Sequence, residues 1–330
     1  MNNFRRSVLW AALLPCLASS ALQAHDDDND DVAGAVYTQS NAVDGNKILA
    51  FNRAGDGSLQ AAGEYATGGL GSGTGLGNQN AVVLSKDGRW LFAVNAGSNQ
   101  VSVFAVRSNG LTLMDTVDSG GVRPVSVTVD RDVLYVLNAG SDNIAGFHMS
   151  RHGKLAPLPA SIRPLSGTGT APAQIAFSPD GDLLVVTEKA TNRIDVYRIG
   201  EDGLATGQSV HPSVGQTPFG FAFDRRGRLL VSEAAGGAFE ASSVTSYNVT
   251  QDGGLQPISA AVPTTETAAC WVVITGNGRY AYTTNAGSGS LAGYAIGRDG
   301  RLSLLDPDGR SGVTGAGSTP IDMALSNNSR

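Results

Sequence analysis

The sequence is poor in cysteine, in charged residues and in long apolar runs. Its two cysteines are Cys16 and Cys270, and the first lies in a segment that we expect to be removed, so we predict no intramolecular disulfide. Only 16% of the residues are charged and the net charge is −6, which argues against a nucleic acid or an anionic membrane surface as partner. Outside the N-terminal segment no apolar run approaches 18 residues, so we predict no membrane span.

Helical periodicity is also missing. No long stretch repeats its apolar residues at helical spacing, whereas 43 of the 330 residues are glycine. Such a composition favours many short strands joined by tight turns. We therefore predict an all-β fold in which helix is scarce.

The N-terminal 24 residues have the three-part layout of a secretory signal. Arg5 and Arg6 precede an apolar run over residues 8–17, and small residues lead to Ala24, after which we expect cleavage. Residues 25–34 carry five carboxylates within their first seven positions and predict a flexible acidic tail. The interpretation is therefore a signal peptide at 1–24, a tail at 25–34 and one domain at 35–330, exported to the periplasm or the outside of the cell.

A repeated unit organises the rest of the chain. Residues 172–199 contain two apolar strands around a Pro-Asp-Gly turn, followed by a third strand in which apolar and polar residues alternate. The residues that end the second strand of successive units lie 43 to 52 positions apart: Asn95, Asn138, Glu188, Glu233 and Asn285. Four-stranded antiparallel units at this spacing predict the blades of a β-propeller.

The same repeat predicts where function lies. In such a blade the second strand ends on the side where the first strand begins, so the loops after the second strands share one mouth of the ring with the connections between blades. Asn95, Asn138 and Asn285 occur in identical Asn-Ala-Gly-Ser loops and are explained by turn chemistry, with ligand binding as the alternative. Glu188 and Glu233 replace Asn in the sibling loops and are candidates for a general base, with a solvated or ion-paired carboxylate as the alternative.

Three motifs carry a resemblance to a known family: Leu134-Tyr-Val-Leu-Asn138, Ser178-Pro-Asp-Gly181 and Val185-Val-Thr-Glu188. Over about residues 35 to 330 the chain resembles the seven-bladed lactonases, which include bacterial 6-phosphogluconolactonases and carboxymuconate cyclases, and the related YVTN-repeat proteins. The resemblance implies hydrolysis or isomerisation of a lactone or sugar-acid at the mouth, with Glu188 at the family's Glu position. Gln174 lies in a segment where those enzymes tend to carry Pro-Arg-His.

The residues therefore leave an enzyme and a non-catalytic ligand-binding or protein-interaction propeller open. For the enzyme, the predicted catalytic residues are Glu188 and Glu233, and the predicted ligand-binding residues are Asn95, Asn138, Asn285, Arg123, Gln174 and Trp271. Arg123 is expected to meet a carboxylate on the ligand. We predict a monomer without a cofactor and without a Cys or His cluster for zinc. The oxygen-rich mouth would suit Ca²⁺ if its side chains converged.

Two further expectations concern the core and the end of the chain. Trp271 lies in the most apolar inner strand and is predicted to be buried between blades. Residues 320–326 have the sequence of a sixth inner strand. Either the chain is a seven-bladed ring that lacks its last three strands, which we favour, or residues 320–326 close a six-bladed ring against residues 36–38.

Overall fold

A computed structural model describes residues 32–315 and 317–326, and it confirms the all-β prediction. Within these residues the only helix is a 3-10 turn, Ala235–Gly237, and none is long and apolar enough to cross a membrane. The predicted signal peptide and residues 25–31 of the predicted tail lie outside the described residues. The first described residues belong to a strand, Val32–Gln39, which includes residues 32–34 of the predicted tail.

The strands form six antiparallel sheets, numbered here along the chain. The first three sheets are β1 (Val32–Gln39), β2 (Lys47–Ala54) and β3 (Leu59–Ala66); β4 (Val82–Leu84), β5 (Trp90–Asn95), β6 (Gln100–Arg107) and β7 (Gly110–Asp118); and β8 (Pro124–Asp130), β9 (Val133–Asn138), β10 (Asn143–Met149), β11 (Leu155–Pro157) and β12 (Arg163–Pro164).

The remaining sheets are β13 (Pro172–Phe177), β14 (Leu183–Glu188), β15 (Arg193–Ile199) and β16 (Ala205–Pro212); β17 (Pro218–Phe223), β18 (Leu229–Glu233), β19 (Ser243–Val249) and β20 (Leu255–Pro263); and β21 (Ala269–Ile274), β22 (Tyr280–Asn285), β23 (Ser290–Ile296), β24 (Leu302–Leu304) and β25 (Gly312–Val313). Each sheet is a meander in which successive strands pair, so the six sheets are the predicted blades.

The predicted Ser-Pro-Asp-Gly turn joins the first two strands of the fourth blade. Ser178 Oγ donates to Asp180 Oδ1 at 2.5 Å and accepts from Leu183 N at 3.0 Å. Gly181 takes a φ of 85°, a conformation that costs other residues steric strain. The turn therefore places β14 antiparallel to β13, with Phe177 opposite Leu184.

Apolar side chains form the core between neighbouring blades. One cluster joins Phe92 and Val94 of the second blade to Val127 and Val136 of the third, and equivalent clusters join the first blade to the second, the third to the fourth, the fourth to the fifth and the fifth to the sixth. Within the described part of the chain no such cluster joins the sixth blade to the first. The ring is therefore stabilised by five blade interfaces and has one gap.

The last predicted strand is not formed. Residues 320–326 are not strand, although Ile321 and Leu325 line the same cavity of about 1280 Å³ as Tyr37 of β1. Among the described residues β1 pairs only with β2, so the first blade has three strands and the predicted six-bladed closure against residues 36–38 is wrong for this structure. The spacing of the inner strands along the sequence predicted where this segment occurs but did not predict its conformation.

The expectation for Trp271 is also wrong. Val272 of β21 is buried against Leu230 and Tyr294 in the core between the fifth and sixth blades. Trp271 is half-buried instead, and it lines the 1280 Å³ cavity with Val273. Neighbouring residues of a strand face opposite sides, so an apolar run predicted the strand but not which of its side chains enters the core.

Candidate functional site

The three predicted asparagines lie inside the blades. Asn95, Asn138 and Asn285 have no exposed surface. Asn95 Nδ2 donates to Ser102 Oγ at 2.8 Å, and Asn138 Nδ2 donates to the carbonyl of Ser119 at 3.2 Å. These contacts tie the end of the second strand to the strand beside it or to the loop above it. Neither bond goes to backbone within the turn itself, as the turn-forming interpretation expected, and ligand binding by these side chains stays a prediction.

The side chain of Glu188 makes contacts of the same type. It has no exposed surface, and its Oε1 accepts from Ser166 N at 2.9 Å while its Oε2 accepts from Ser166 Oγ at 2.6 Å and from Thr191 Oγ1. Ser166 belongs to the loop that leads into the fourth blade. Glu188 therefore fastens this loop to β14, and the expectation that its carboxylate lines the mouth is wrong.

A second carboxyl group lies beside Glu188. Asp195 of β15 is fully buried and shares a hydrogen bond with Glu188. Ser166 N also donates to Asp195 Oδ2 at 3.1 Å, but Asp195 Oδ1 has no donor among the described residues. Burial, and then the carboxyl of Glu188, raise the pKa of Asp195 to about 8. Two buried carboxylates in contact cannot both ionise readily, so the pair retains one proton at neutral pH.

Glu233 performs the same structural role in the fifth blade. It has no exposed surface, and it accepts from Gly215 N at 2.9 Å, from Thr245 Oγ1 at 2.6 Å and from Ser243 Oγ. Burial raises the pKa of this carboxyl, although its hydrogen bonds oppose the shift. A Cβ on Gly215 would lie 2.3 Å from Glu233 Oε2, so the loop covers the carboxylate closely. Glu233 does not line the mouth either.

Gln174 connects two inner strands. It is 2% exposed, its Nε2 donates to the carbonyl of Phe221 at 3.0 Å, and its Oε1 accepts from Phe221 N at 2.6 Å. Gln79 makes the equivalent pair of bonds to Val272 of β21, both at 3.2 Å, and its N donates to the carbonyl of Ala173 at 3.0 Å. Both amides are therefore used within the ring, and residue 79 links the fourth and sixth blades.

Lys189 contacts two residues that line the 1280 Å³ cavity, Phe219 and Gly77. It follows Glu188 directly, is half-buried, and holds its Nζ 4.8 Å from the centre of the Phe219 ring. The same Nζ donates to the carbonyl of Gly77, at the end of the glycine-rich loop that enters the second blade. Burial, and to a smaller extent the positive charge of Arg123, lower the pKa of Lys189 to about 8 against the opposing effect of Cys270.

Arg123 is the second cation of this region. Its backbone takes a φ of 54°, and its N donates to Asn99 Oδ1 at 2.7 Å, so the loop holds its backbone while the residue as a whole is exposed. Within residues 32–315 and 317–326 neither Arg123 nor Lys189 forms an ion pair with a carboxylate. Two cations on one side of the ring without a counterion among the described residues make a candidate anion site. We call Arg123, Lys189 and Phe219 the cationic mouth.

A residue-by-residue comparison of the repeats would have singled out Lys189 from the sequence alone. In the other four loops the residue after the strand end is alanine, at positions 96, 139, 234 and 286. Among these five loops, lysine replaces the alanine only in the fourth blade. Arg123 is a similar exception, because the equivalent residues before the inner strands of the other blades are uncharged, at positions 80, 171, 217 and 268. A charge at a position that is otherwise small or neutral in an internal repeat is not required by the fold.

The two glutamates considered as oxygen donors for Ca²⁺ end strands of different blades. Among the described residues there is no group of three or more His, Cys, Asp or Glu side chains that could hold a metal ion. Glu188 and Glu233 accept hydrogen bonds within separate blades. These two carboxylates therefore do not share one centre, and Ca²⁺ binding through other oxygen donors stays a prediction. Cys270 is 7% exposed and burial raises the pKa of its thiol to about 11, which agrees with the predicted buried thiol.

Comparisons with known proteins agree with this architecture. A family model described as "Lactonase, 7-bladed beta-propeller" matches residues 45–168 and 159–237. The chain is 26% identical over 250 residues to a 6-phosphogluconolactonase of Erwinia tasmaniensis, covering 72% of each protein. It is 24% identical over 159 residues to a 6-phosphogluconolactonase of Yersinia enterocolitica, where the match spans 47% of this chain and 45% of the relative.

Solved structures show the same fold. The periplasmic gluconolactonase of Pseudomonas aeruginosa superposes with a TM-score of 0.64 at 17% identity, over 82% of this chain and 81% of that one. A protein of Lactobacillus plantarum superposes with a TM-score of 0.66 at 20% identity, over 82% and 81% of the two chains. Identities this low establish the arrangement of blades and leave the chemistry to the side chains at the mouth.

Proposed function

Because the chain belongs to the lactonase family of seven-bladed β-propellers, we propose that it is an exported hydrolase that opens a sugar-acid lactone carrying a negative charge. The names of its relatives, 6-phosphogluconolactonase and periplasmic gluconolactonase, support the reaction class. The signal-like sequence of residues 1–24 supports export.

One observation carries the choice of substrate. Arg123 precedes β8 and Lys189 follows β14, which puts both on the side of the ring where the first strands of the blades begin, and neither has a carboxylate partner among the described residues, although the chain as a whole carries a net charge of −6. A guanidinium binds a carboxylate or a phosphate through two parallel hydrogen bonds. Arg123 would therefore hold the anionic group of the ligand, and the ring of Phe219 would offer an apolar surface beside it.

Lys189 would then act on the lactone ring. Opening the ring requires a base that activates water and a positive charge that stabilises the oxyanion. The pKa of about 8 leaves roughly a tenth of this amine neutral at pH 7. The neutral amine would take a proton from water, and the resulting ammonium would stabilise the oxyanion that forms beside it.

A non-catalytic ligand-binding propeller is the second candidate. It is favoured by the full burial of Glu188 and Glu233, which removes both carboxylates first considered as bases. The two candidates share the same anion site, and they differ in whether Lys189 contributes to turnover.

The test is a panel of lactones assayed by acid release between pH 6 and 9, including glucono-1,5-lactone and a phosphorylated analogue. We expect the wild-type rate to rise with pH up to about pH 8, because the neutral amine of Lys189 is the active form. Lys189→Met should reduce kcat by a factor of about 10²–10⁴, and Arg123→Gln should raise KM for the charged lactones more than for neutral ones.

Glu188→Gln provides a matched comparison in the adjacent residue. If Glu188 is structural, this substitution lowers stability and leaves kcat within a few-fold of wild type. No hydrolysis by the wild type at any pH would overturn the hydrolase in favour of the binding protein. Turnover that Lys189→Met leaves unchanged would overturn the assignment of the base.

A further inference from the structure

A second cavity lies at the end of the blades opposite the mouth. β5 begins at Trp90 and ends at Asn95, so Trp90 lies at the end of the strand that is far from the mouth loops. Turns before β5, β9, β11 and β14 surround a cavity of about 690 Å³ there. Ligand sites in proteins have volumes of about 300–1,000 Å³. We call this cavity the turn-side groove, and it is lined by residues 85–87, 89–90, 129–132, 149–151 and 179–180.

The floor of the turn-side groove is apolar and rests on the core. Trp90, Val129 and Met149 are half-buried and pack against the cluster between the second and third blades. Gly153 lies so close to the indole of Trp90 that a Cβ at this position would clash with the ring. These neighbours fix the indole, and the part of it that stays accessible offers a flat apolar surface to the groove.

The rim of the turn-side groove is charged, and its charges balance. Asp87 pairs with Arg89 at 2.5 Å, and Asp130 lies 3.5 Å from Arg131. The other charged residues that line the groove are Lys86, Arg151, Asp132 and Asp180. Four cations and four carboxylates therefore surround an apolar floor. Charge alone favours neither an anion nor a cation as the ligand, in contrast to the cationic mouth.

Three of these charged groups are not engaged in pairs. Within the part of the chain that the structure describes, Lys86, Arg151 and Asp132 form no ion pair, and all three are exposed. An ammonium or a guanidinium only donates hydrogen bonds, and an ionised carboxylate only accepts them. A neutral ligand that uses all three must both accept and donate, and hydroxyl groups do both.

We propose that the turn-side groove binds a neutral saccharide. The C–H face of a sugar ring packs on the apolar floor at Trp90, while its hydroxyl groups donate to Asp132 and accept from Lys86 and Arg151. Hydrogen bonds to charged groups are stronger than those between neutral groups, so these three side chains orient the sugar. The site goes beyond the proposed function, because it lies away from the mouth and needs no lactone chemistry.

NMR of the full chain with ¹⁵N-labelled tryptophan tests this proposal. The chain contains Trp10, Trp90 and Trp271, so Trp→Phe variants assign every indole signal. Trp271 lines the 1280 Å³ cavity and reports on binding there. The probes are maltotriose, cellotriose and triacetylchitotriose as neutral sugars and gluconate as an anion. We expect a neutral trisaccharide to shift the Trp90 signal saturably, with a Kd of about 1 mM or tighter, and to leave Trp271 unchanged.

Asp132→Ala and Asp182→Ala form a matched pair of variants. The two aspartates precede the second strands of consecutive blades, where the carbonyl of Asp132 accepts from Met149 N at 2.7 Å and that of Asp182 accepts from Ile199 N at 2.8 Å. Only Asp132 lines the turn-side groove. Asp132→Ala should weaken sugar binding by a factor of about 10 or more, whereas Asp182→Ala should leave it unchanged.

Each other outcome counts against the saccharide site. Absence of a saturable Trp90 shift with all three sugars would overturn it. A shift of Trp271 alone would assign the sugar to the 1280 Å³ cavity, and a response of Trp90 to gluconate alone would assign the groove to an anion. Equal affinities of Asp132→Ala and Asp182→Ala would overturn the assigned contacts. The readout does not involve lactone hydrolysis, so failure here leaves the proposed function standing.

Discussion

At the scale of single residues, the structural residue Glu188 and the proposed catalytic residue Lys189 are neighbours in the chain. Glu188 ends β14 with its carboxylate inside the blade, and Lys189 follows with its Nζ over the ring of Phe219. Successive side chains of an extended segment face opposite ways. The replacement of Asn by Glu at position 188 therefore led to the prediction that Glu188 is catalytic, whereas the proposed function assigns that role to the next residue. Sequence reasoning selected this loop and did not consider Lys189, the residue on which the proposed function rests.

The buried pair of Asp195 and Glu188 predicts an unusual pH dependence of stability. The folded-state pKa of Asp195, about 8, lies above the ordinary aspartate value of about 3.9. Such a group contributes stability that is complete below the unfolded pKa and is lost as the pH rises through the folded pKa. Its contribution should therefore fall between about pH 4 and pH 8, by at most about 1.4 kcal/mol per pH unit.

Asp195→Asn tests this prediction in denaturant unfolding between pH 5 and 8. Asparagine mimics the protonated acid, so the variant should lose stability less steeply with pH than the wild type and should match or exceed it at pH 8. Parallel pH profiles for the two proteins would show that the pair does not share a proton.

At the scale of elements, sequence patterns predicted the blades well and their closure poorly. The spacing of turns and apolar runs placed the inner strands at Pro124, Pro172 and Pro218, because each blade is built from local hairpins. The segment 320–326 has the same pattern but is not strand, since pairing there depends on residues far away in the chain. Inner-strand contacts across the ring, such as that of Gln79 with Val272, have no local signal for the same reason.

The amide bridge of Gln174 gives a prediction for these inner strands. Gln174→Met keeps the volume of the side chain but leaves the buried N–H and C=O of Phe221 without their partners. We expect urea unfolding to show a loss of about 2–4 kcal/mol. Gln60→Met in the exposed strand β3 is the control and should change stability by less than about 0.5 kcal/mol. Equal effects of the two substitutions would exclude the bridge as a major stabilising contact.

At the scale of the whole molecule, the ring combines a negative chain with a locally positive mouth. The net charge is −6, yet Arg123 precedes β8 and Lys189 follows β14 on the same side of the ring, and the charge of Arg123 contributes to lowering the pKa of Lys189. Like charges held together without a partner are unfavourable for the free protein and become favourable when an anion binds. The fold alone would suit many functions, and the proposed specificity rests on the two residues that depart from the repeat, Arg123 and Lys189.

The central claim is that Lys189 belongs to an anion site, and NMR titration of ¹³C-labelled lysine tests it most directly. With four lysines in the chain, Lys→Arg variants assign every signal. The account predicts that Lys189 titrates near pH 8, well below Lys47, whose pKa its contact with Glu64 raises. Saturating gluconate should raise the pKa of Lys189 in the wild type and much less in Arg123→Gln. A Lys189 signal that titrates with Lys47 and does not respond to gluconate would contradict the account.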